Sequence, residues 1–144
     1  MFPAKLGVTN SVSAPFAVPA ITRGWAAGDA AYARGAFDLG DGQALVLRGR
    51  SPECRFWNLC LWNQYLCTYD YGASVPVSIN GHQVSYEPDG TWTVVVSPTD
   101  PGHPNWVSTA GHRNGILWFR WFYPAEVPPP ISAEVVSISS LASP

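Results

Sequence analysis

The polar residues best suited to chemistry are concentrated between residues 99 and 113 of this 144-residue chain. They supply a carboxylate, two imidazoles, an amide and a guanidinium: Asp100, His103, Asn105, His112 and Arg113. Carboxylates and imidazoles can transfer protons, and loops on a rigid scaffold often hold such groups. One interpretation is therefore a ligand-binding or acid–base site on this loop.

The same residues also support a structural interpretation. Asp100 precedes a Pro-Gly pair, and an aspartate in such a turn can accept hydrogen bonds from nearby backbone N–H groups. Asn105 can bind loop backbone through its amide, and Trp106 is then expected to enter the core. Because such turns are common, we favour the structural interpretation, with the ligand site as the alternative. Turn positions elsewhere extend the structural set, which comprises Asp89, Gly90, Gly102, Trp106 and Gly111.

Motifs for metals, cofactors and covalent catalysis are absent from the sequence. The three histidines include no H-x-H pair, so a metal site would require His103 and His112 to converge with Asp100. The sequence contains no G-x-S-x-G, P-loop or G-x-G-x-x-G motif. We therefore assign no catalytic residue and no metal, and we expect no cofactor.

Three cysteines, Cys54, Cys60 and Cys67, form an odd set without a C-x-x-C pair. Reduced thiols in a cytoplasmic protein fit this pattern better than a disulfide framework. We expect all three to be buried as small apolar groups. The position of Cys54 beside Arg55 is the only hint of a reactive thiol.

Composition narrows the class of protein. Charged residues make up 12% of the chain, whereas Trp, Tyr and Phe number seven, six and six. This balance indicates either a large aromatic core or an apolar surface covered by a partner. The net charge of −2 without a Lys/Arg cluster argues against nucleic-acid binding, and no apolar run is long enough for a membrane span.

Short alternating segments separated by turn residues predict an all-β fold, an antiparallel β-sandwich of jelly-roll type. Residues 1–28 have no clear period and are interpreted as an extended arm or linker, with the sandwich over residues 29–144. Residues 65–74 fit either a helical turn or a loop. The predicted strands span residues 31–38, 44–48, 54–62, 76–80, 82–87, 91–97, 106–109, 116–123 and 133–138, with a hairpin at Asn80-Gly81.

The strand over residues 116–123 carries large side chains on both faces. Alternation places Trp118, Arg120 and Phe122 on one face, with Phe119 and Trp121 on the other. The second sheet can cover only one of these faces. We interpret Trp118, Arg120 and Phe122 as a candidate interface, covered by the arm, by another subunit or by a small apolar ligand.

Several short motifs together resemble the domain of unknown function 1214 family, over about residues 29–138. The motifs are Ala44-Leu45-Val46, Cys54-Arg55-Phe56-Trp57, Ser78-Ile79-Asn80, Pro88-Asp89-Gly90, Asp100-Pro101-Gly102, Asn105-Trp106, Thr109-Ala110-Gly111 and Arg120-Trp121. The resemblance implies a jelly-roll sandwich that often closes a longer chain, behind a domain of unknown function 1254. On this basis the chain is either a short stand-alone version or a C-terminal portion. The family supplies no catalytic residues to transfer.

These observations favour a non-catalytic module that acts by self-association or by association with a partner protein. The alternative is a small-molecule-binding or enzymatic domain with its site at the 99–113 loop. Whether the chain is an enzyme stays open at this point, with the non-enzymatic interpretation preferred.

Overall fold

The computed structural model describes residues 8–18, 29–69 and 74–141, which form two packed β-sheets. The elements in chain order are β1 (Ser11–Val12), β2 (Phe16–Ala17), β3 (Ala30–Asp38), β4 (Gln43–Gly49), β5 (Phe56–Trp62), β6 (Ser78–Asn80), β7 (Trp92–Ser97), β8 (Trp106–Ser108), β9 (Asn114–Phe122), β10 (Ser132–Ser137) and α1 (Ile138–Leu141). The larger sheet has the order β1-β3-β9-β5-β6, with β2 also paired to β3, and the smaller sheet has the order β10-β4-β7-β8.

The predicted all-β sandwich is confirmed. Every strand pairing among the described residues is antiparallel except that of β7 with β8, which is parallel. The parallel pair arises because residues 98–105 carry the chain back along β7 before β8 begins, so that Val95 lies opposite Trp106. The polar loop identified in the sequence is therefore the return connection between two parallel strands.

The core lies between the two sheets and consists of the side chains that alternate inward from each strand. In β9 these are Leu117, Phe119 and Trp121, and all three are fully buried. Aromatic rings continue through the core, with centroids 5.1 Å apart for Trp57 and Trp92, 5.8 Å for Trp92 and Phe119, and 5.7 Å for Phe119 and Trp121. Each such pair contributes about 0.5–1.5 kcal/mol beyond burial of its area.

The prediction of a strand over residues 82–87 is wrong. Asn80 Oδ1 accepts hydrogen bonds from the N–H groups of residues 82 and 83, which closes a turn directly after β6. Gly81 lies against the Trp57 indole, where an added Cβ would come within 2.5 Å of Nε1. β6 consequently pairs with β5, and Tyr86 forms only an isolated bridge with Trp92.

The N-terminal part adds two short strands to the edge of the larger sheet. β1 and β2 both pair with β3, so residues 11–17 extend the sandwich. The rest of the predicted arm, residues 1–7 and 19–28, lies outside the described residues, as do residues 70–73 of the predicted turn or loop. In the ranges that are described, no helix is both long and apolar enough to cross a membrane.

The cysteines differ in burial, and the expectation of three buried thiols is wrong. Cys60 lies in β5 and is half-buried, Cys54 precedes that strand and is also half-buried, and Cys67 is exposed. The apolar alternation that suggested burial ends at Trp62. Cys67 follows it in a turn held by Asn63, whose Oδ1 accepts the Cys67 N–H at 3.1 Å.

Candidate functional site

The loop from Asp100 to Asn105 is held by its own polar groups. Asp100 Oδ1 accepts the N–H of Gly102 at 2.8 Å, which closes a turn over Pro101. Gly102 has a φ of 76°, a left-handed conformation that glycine adopts without strain. His103 Nδ1 accepts the backbone N–H of Asn105 at 3.0 Å. Each of these bonds lies within the loop and fixes its path.

The Asn105 side chain is buried and connects three segments of backbone. Its Oδ1 accepts the N–H of Ser85 at 2.7 Å, and its Nδ2 donates to the carbonyls of Ser85 and Thr93, both at 2.8 Å. Two donor hydrogens and one acceptor oxygen are thereby engaged. The amide therefore connects the irregular segment before β7 to the smaller sheet and has no donor hydrogen left for a ligand.

Trp106 does not enter the core, so that prediction is wrong. Its ring is half-buried, and Nε1 donates to the Ser97 carbonyl at 3.1 Å. Val107, the next residue, is fully buried in the core. Successive side chains of β8 point to opposite faces, so only one of these neighbours can occupy the core.

His103 lies in a partly buried setting near Glu87. Burial lowers the pKa of His103, and the Glu87 carboxylate opposes part of that change. The hydrogen bond that Nδ1 accepts also requires an unprotonated Nδ1. Burial and this hydrogen bond both favour the neutral imidazole.

His112 and Arg113 lie beyond β8, in the turn that leads to β9. Thr109 to His112 forms a tight turn closed by a 2.9 Å bond from the His112 N–H to the Thr109 carbonyl, with positive φ at Ala110 (50°) and Gly111 (80°). The His112 ring stacks on Tyr69, with centroids 4.2 Å apart. Arg113 Nε is 3.1 Å from Asp38 Oδ1 in an exposed ion pair.

Burial raises the pKa of Tyr69 to about 12, and its hydroxyl donates to the Asn114 carbonyl at 3.2 Å. His112 and Arg113 border a cavity of about 290 Å³ that Thr99 also lines. This cavity is the place where the predicted loop comes nearest to a binding site.

The predicted polar set is therefore divided between two places. Asp100, His103 and Asn105 build the loop before β8, whereas His112 and Arg113 follow β8 beside the cavity. In residues 8–18, 29–69 and 74–141, no three His, Cys, Asp or Glu side chains are grouped closely enough to hold a metal ion.

The turn at Asp89-Gly90 has a local structural role. Asp89 Oδ1 accepts the N–H and the hydroxyl of Thr91 at 3.0 and 2.6 Å. These bonds lower the pKa of Asp89, and the bond from the hydroxyl has the larger effect. Gly90 has a φ of 81°. Arg50 Nη2 donates to the Asp89 carbonyl at 2.7 Å and ties this turn to the end of β4.

The predicted interface residues lie on the outer face of the larger sheet. Trp118 is 9% exposed and stacks on Trp62 with centroids 4.7 Å apart, while Phe122 is half-buried. The Arg120 guanidinium carbon lies 5.9 Å from the Tyr32 ring centroid and 5.6 Å from that of Phe122. Within the described ranges Arg120 has no carboxylate partner, and its buried Nε has no hydrogen-bond acceptor.

A second cleft, of about 340 Å³, lies between the segments 51–57 and 81–86. Three core indoles direct their N–H groups to this end of the sandwich. Trp92 and Trp121 both donate to Ser51 Oγ, at 3.2 and 3.0 Å, and Trp57 donates to the Tyr86 hydroxyl at 3.1 Å. Sequence analysis missed this cleft because Ser51 and Tyr86 belong to no local motif.

Cys54 also borders this cleft. Burial raises the pKa of its thiol, and a hydrogen bond from the Phe56 backbone opposes only part of that change. A raised pKa reduces the thiolate fraction, so the environment does not activate Cys54 as a nucleophile.

Comparison with known proteins places the chain in a family whose activity is not described. Residues 35–126 match the family model described as protein of unknown function DUF1214. No curated protein matches significantly.

Two solved structures are similar. A putative uncharacterized protein from Burkholderia cenocepacia has a TM-score of 0.74 and 32% identity over 80% of this chain. A protein from Vibrio parahaemolyticus, at 17% identity, has a TM-score of 0.57 over 74% of this chain and shares the fold. The match covers 32% and 31% of those chains, so this chain spans about a third of their length. With its family model matched over most of the sandwich, the chain belongs to the DUF1214 family.

Proposed function

We propose that this chain is a non-catalytic β-sandwich module that acts by association, with itself or with a partner protein domain. The contact surface is the outer face of the larger sheet at Arg120 and Phe122, beside the buried Trp118. The observation that carries the proposal is Arg120, a half-buried cation between two aromatic rings. Nowhere in the described part of the chain does a carboxylate pair with it.

Arginine and aromatic side chains are the residues most enriched at the energetic centres of protein interfaces. The registers of β3, β9 and β5 place Tyr32, Arg120 and Asn58 in one row across the sheet, with Phe122 and Phe56 in the row beside it. A partner that brings a carboxylate to Arg120 would satisfy its N–H groups in an apolar setting, where a charged hydrogen bond is strong.

The longer structural relatives support the same proposal. Because the match covers about a third of each, the sandwich is accompanied there by a much larger part of the chain. A family domain that occurs beside such a companion is a natural candidate for association through one sheet face. Such a companion domain, or a second copy of the sandwich, is the partner proposed for this face.

Light scattering tests self-association. We expect a mass well above 15.6 kDa, and we expect Phe122→Asp to return it to a single copy because a carboxylate would be buried among apolar groups. Arg113→Gln, which alters an exposed ion pair elsewhere, serves as the matched control. If the chain is a single copy, it should instead bind the remaining part of the Burkholderia cenocepacia protein, and Phe122→Asp should abolish that binding. Failure of both forms of association would contradict the proposal.

A second candidate function is small-molecule binding at the 290 Å³ cavity beside the 99–113 loop. The observation that favours it is that His112, Arg113 and Thr99 all line this cavity. NMR screening of small acids and amides should then shift the His112 ring signals of the native chain. Absence of saturable shifts would remove this candidate.

We also propose a cytoplasmic location, which the three free cysteines support. Thiol titration of the native protein should modify Cys67 rapidly and Cys54 slowly, because Cys67 is exposed and burial raises the pKa of Cys54. Disulfide-linked species isolated from cells would contradict this location.

A further inference from the structure

We propose that the 340 Å³ cleft between segments 51–57 and 81–86 binds a small organic monocarboxylate with an apolar body. The cleft is separate from the 99–113 loop and meets the outer sheet face at Phe56, whose ring centroid lies 6.2 Å from that of Phe122. Ligand binding in the cleft does not require association through that face. Its volume lies at the lower end of the range for small-molecule sites. Three polar side chains and one aromatic wall decide the ligand: Ser51, Glu53, Arg55, and the wall made by the rings of Phe56 and Tyr86.

The Ser51 hydroxyl is fixed as a donor. Its oxygen accepts the N–H of Trp121 at 3.0 Å and that of Trp92 at 3.2 Å, which occupies both lone pairs. Its own proton is the one hydrogen-bonding capacity left, and no residue in the described ranges accepts it. Accepting two hydrogen bonds also polarises the O–H and strengthens it as a donor. Ser51 therefore presents an oriented donor at the wall of the cleft.

Arg55 supplies the positive charge. Its guanidinium carbon lies over the exposed Tyr123 ring, 4.7 Å from the ring centroid, and this cation–π contact favours one position of the group. Among the residues that the structure describes, no carboxylate pairs with it. A guanidinium presents parallel N–H groups that match the two oxygens of a carboxylate. A guanidinium without an ion-pair partner is suited to an anionic ligand.

The aromatic wall selects a ligand with an apolar body. The Tyr86 hydroxyl accepts the Trp57 N–H and donates to the Gly81 carbonyl at 2.9 Å, so its polar atom is already engaged. The Tyr86 ring is 47% exposed and rigidly held, and Phe56 is half-buried beside the same cleft. These rings can cover a flat apolar group, and burial of its apolar surface favours binding.

Glu53 restricts the charge of the ligand. Its carboxylate borders the same cleft, two residues before Arg55. A second negative charge on the ligand would be repelled by Glu53, whereas a single carboxylate can be balanced by Arg55. The cleft thus favours a monoanion over phosphate or a dicarboxylate. An aryl or short-chain carboxylic acid satisfies all four groups.

NMR titration with benzoate tests the proposal, with benzamide and inorganic phosphate as comparison probes. We expect saturable shifts of the Trp57 and Tyr86 signals with a Kd of about 1 mM, the affinity of a fragment-sized ligand. Benzamide and phosphate should bind about tenfold more weakly or not at all, since one lacks the charge and the other lacks the apolar body. Equal binding of benzamide would remove the role of Arg55, and equal binding of phosphate would remove that of the rings.

Variants of Arg55 separate a binding role from a structural one. Arg55→Gln should weaken benzoate binding about tenfold without changing the folded spectrum, and Arg55→Lys should restore part of the affinity because it keeps the charge. Arg48→Gln, which removes an exposed ion pair with Glu134 and lies at neither cavity, should bind benzoate like the native chain. Absence of saturable shifts, or unchanged affinity in Arg55→Gln, would overturn the proposal.

Discussion

Two loops of this sandwich carry polar side chains, and they differ in how much hydrogen-bonding capacity remains available. In the 99–105 loop, Asp100, His103 and Asn105 all bind backbone groups of the same domain. In the 51–55 loop, the Ser51 hydroxyl proton has no acceptor within the described ranges, and no carboxylate in those ranges forms an ion pair with Arg55. The 99–105 loop, whose residue types suggested a functional site, therefore has less hydrogen-bonding capacity available for a ligand than the 51–55 loop.

The contrast follows from where each loop lies in the fold. The 99–105 segment must return the chain between two parallel strands in a few residues, so its polar groups are needed to satisfy its own backbone. The 51–55 segment lies where three indole N–H groups emerge from the core, so its residues are placed by aromatic packing. Polar side chains that close a backbone turn indicate a structural role, whereas oriented donors without acceptors indicate a site that can bind a ligand.

The largest expected effect comes from Asn105→Ala. Removing the amide leaves the Ser85 N–H and two carbonyls without their partner, and we expect a loss of about 2–4 kcal/mol in the free energy of unfolding. Urea denaturation measures this loss. Asp100→Ala, which removes one exposed turn bond, is the control and should cost less than about 1 kcal/mol. Equal costs for the two variants would contradict the role of Asn105 as the main connection of the loop.

Ser51→Ala should have the next largest effect. Two buried indole N–H groups lose their acceptor, and water from the cleft can replace it only in part, so we expect a loss of about 1–3 kcal/mol. Ser132→Ala, an exposed serine in β10, is the control for urea denaturation and should be within about 0.5 kcal/mol of the native chain. A silent Ser51→Ala would show that the hydroxyl is not fixed by the indoles, which would weaken the proposed carboxylate site.

A smaller, pH-dependent effect is expected from His103. Burial lowers the pKa of His103 in the folded state, so the unfolded chain takes up more protons as the pH falls through the ordinary histidine value of about 6.5. Stability is thus full above that value and decreases below it. Melting temperatures between about pH 8 and pH 5 should show this decrease, and His103→Gln should reduce it. If the decrease persists unchanged in His103→Gln, burial of His103 is not its source.

The sequence was sufficient for the fold because the strands follow the two-residue alternation of β-structure. In β9 the fully buried Leu117, Phe119 and Trp121 alternate with Trp118, Arg120 and Phe122, as the pattern predicts. The prediction was wrong at residues 82–87, where an alternating segment follows an Asn-Gly pair. There the Asn80 side chain closes the turn, and this contact competes with a second strand.

The cleft could not be predicted from the sequence because its contacts are long-range. Trp57 and Tyr86 are 29 residues apart, and Trp121 and Ser51 are 70 residues apart. No local spacing encodes such pairs. An Arg-Ser-Pro segment indicates only the end of a strand, and its serine gains a defined role when two sheets bring two indoles to it. In the polar loop before β8, the bonds of Asp100 and His103 join residues two apart, and the sequence predicts the Asp100 turn. The Asn105 bonds to Ser85 and Thr93 span 20 and 12 residues, and no local spacing encodes those partners.

The smallest effect on stability is expected from Arg55→Gln. The guanidinium lies over an exposed ring and binds no carboxylate of the described residues, so its removal should cost at most about 0.5–1 kcal/mol. Thermal melting of the native chain and of Arg55→Gln measures this difference, with Arg113→Gln as the exposed control. A loss as large as that of Ser51→Ala would mean that Arg55 holds the loop and has little capacity left for a ligand. If Arg55→Gln instead keeps the native stability and no longer binds benzoate, Arg55 contributes little to the fold and much to binding. Its hydrogen-bonding groups are then available to a ligand in the native chain.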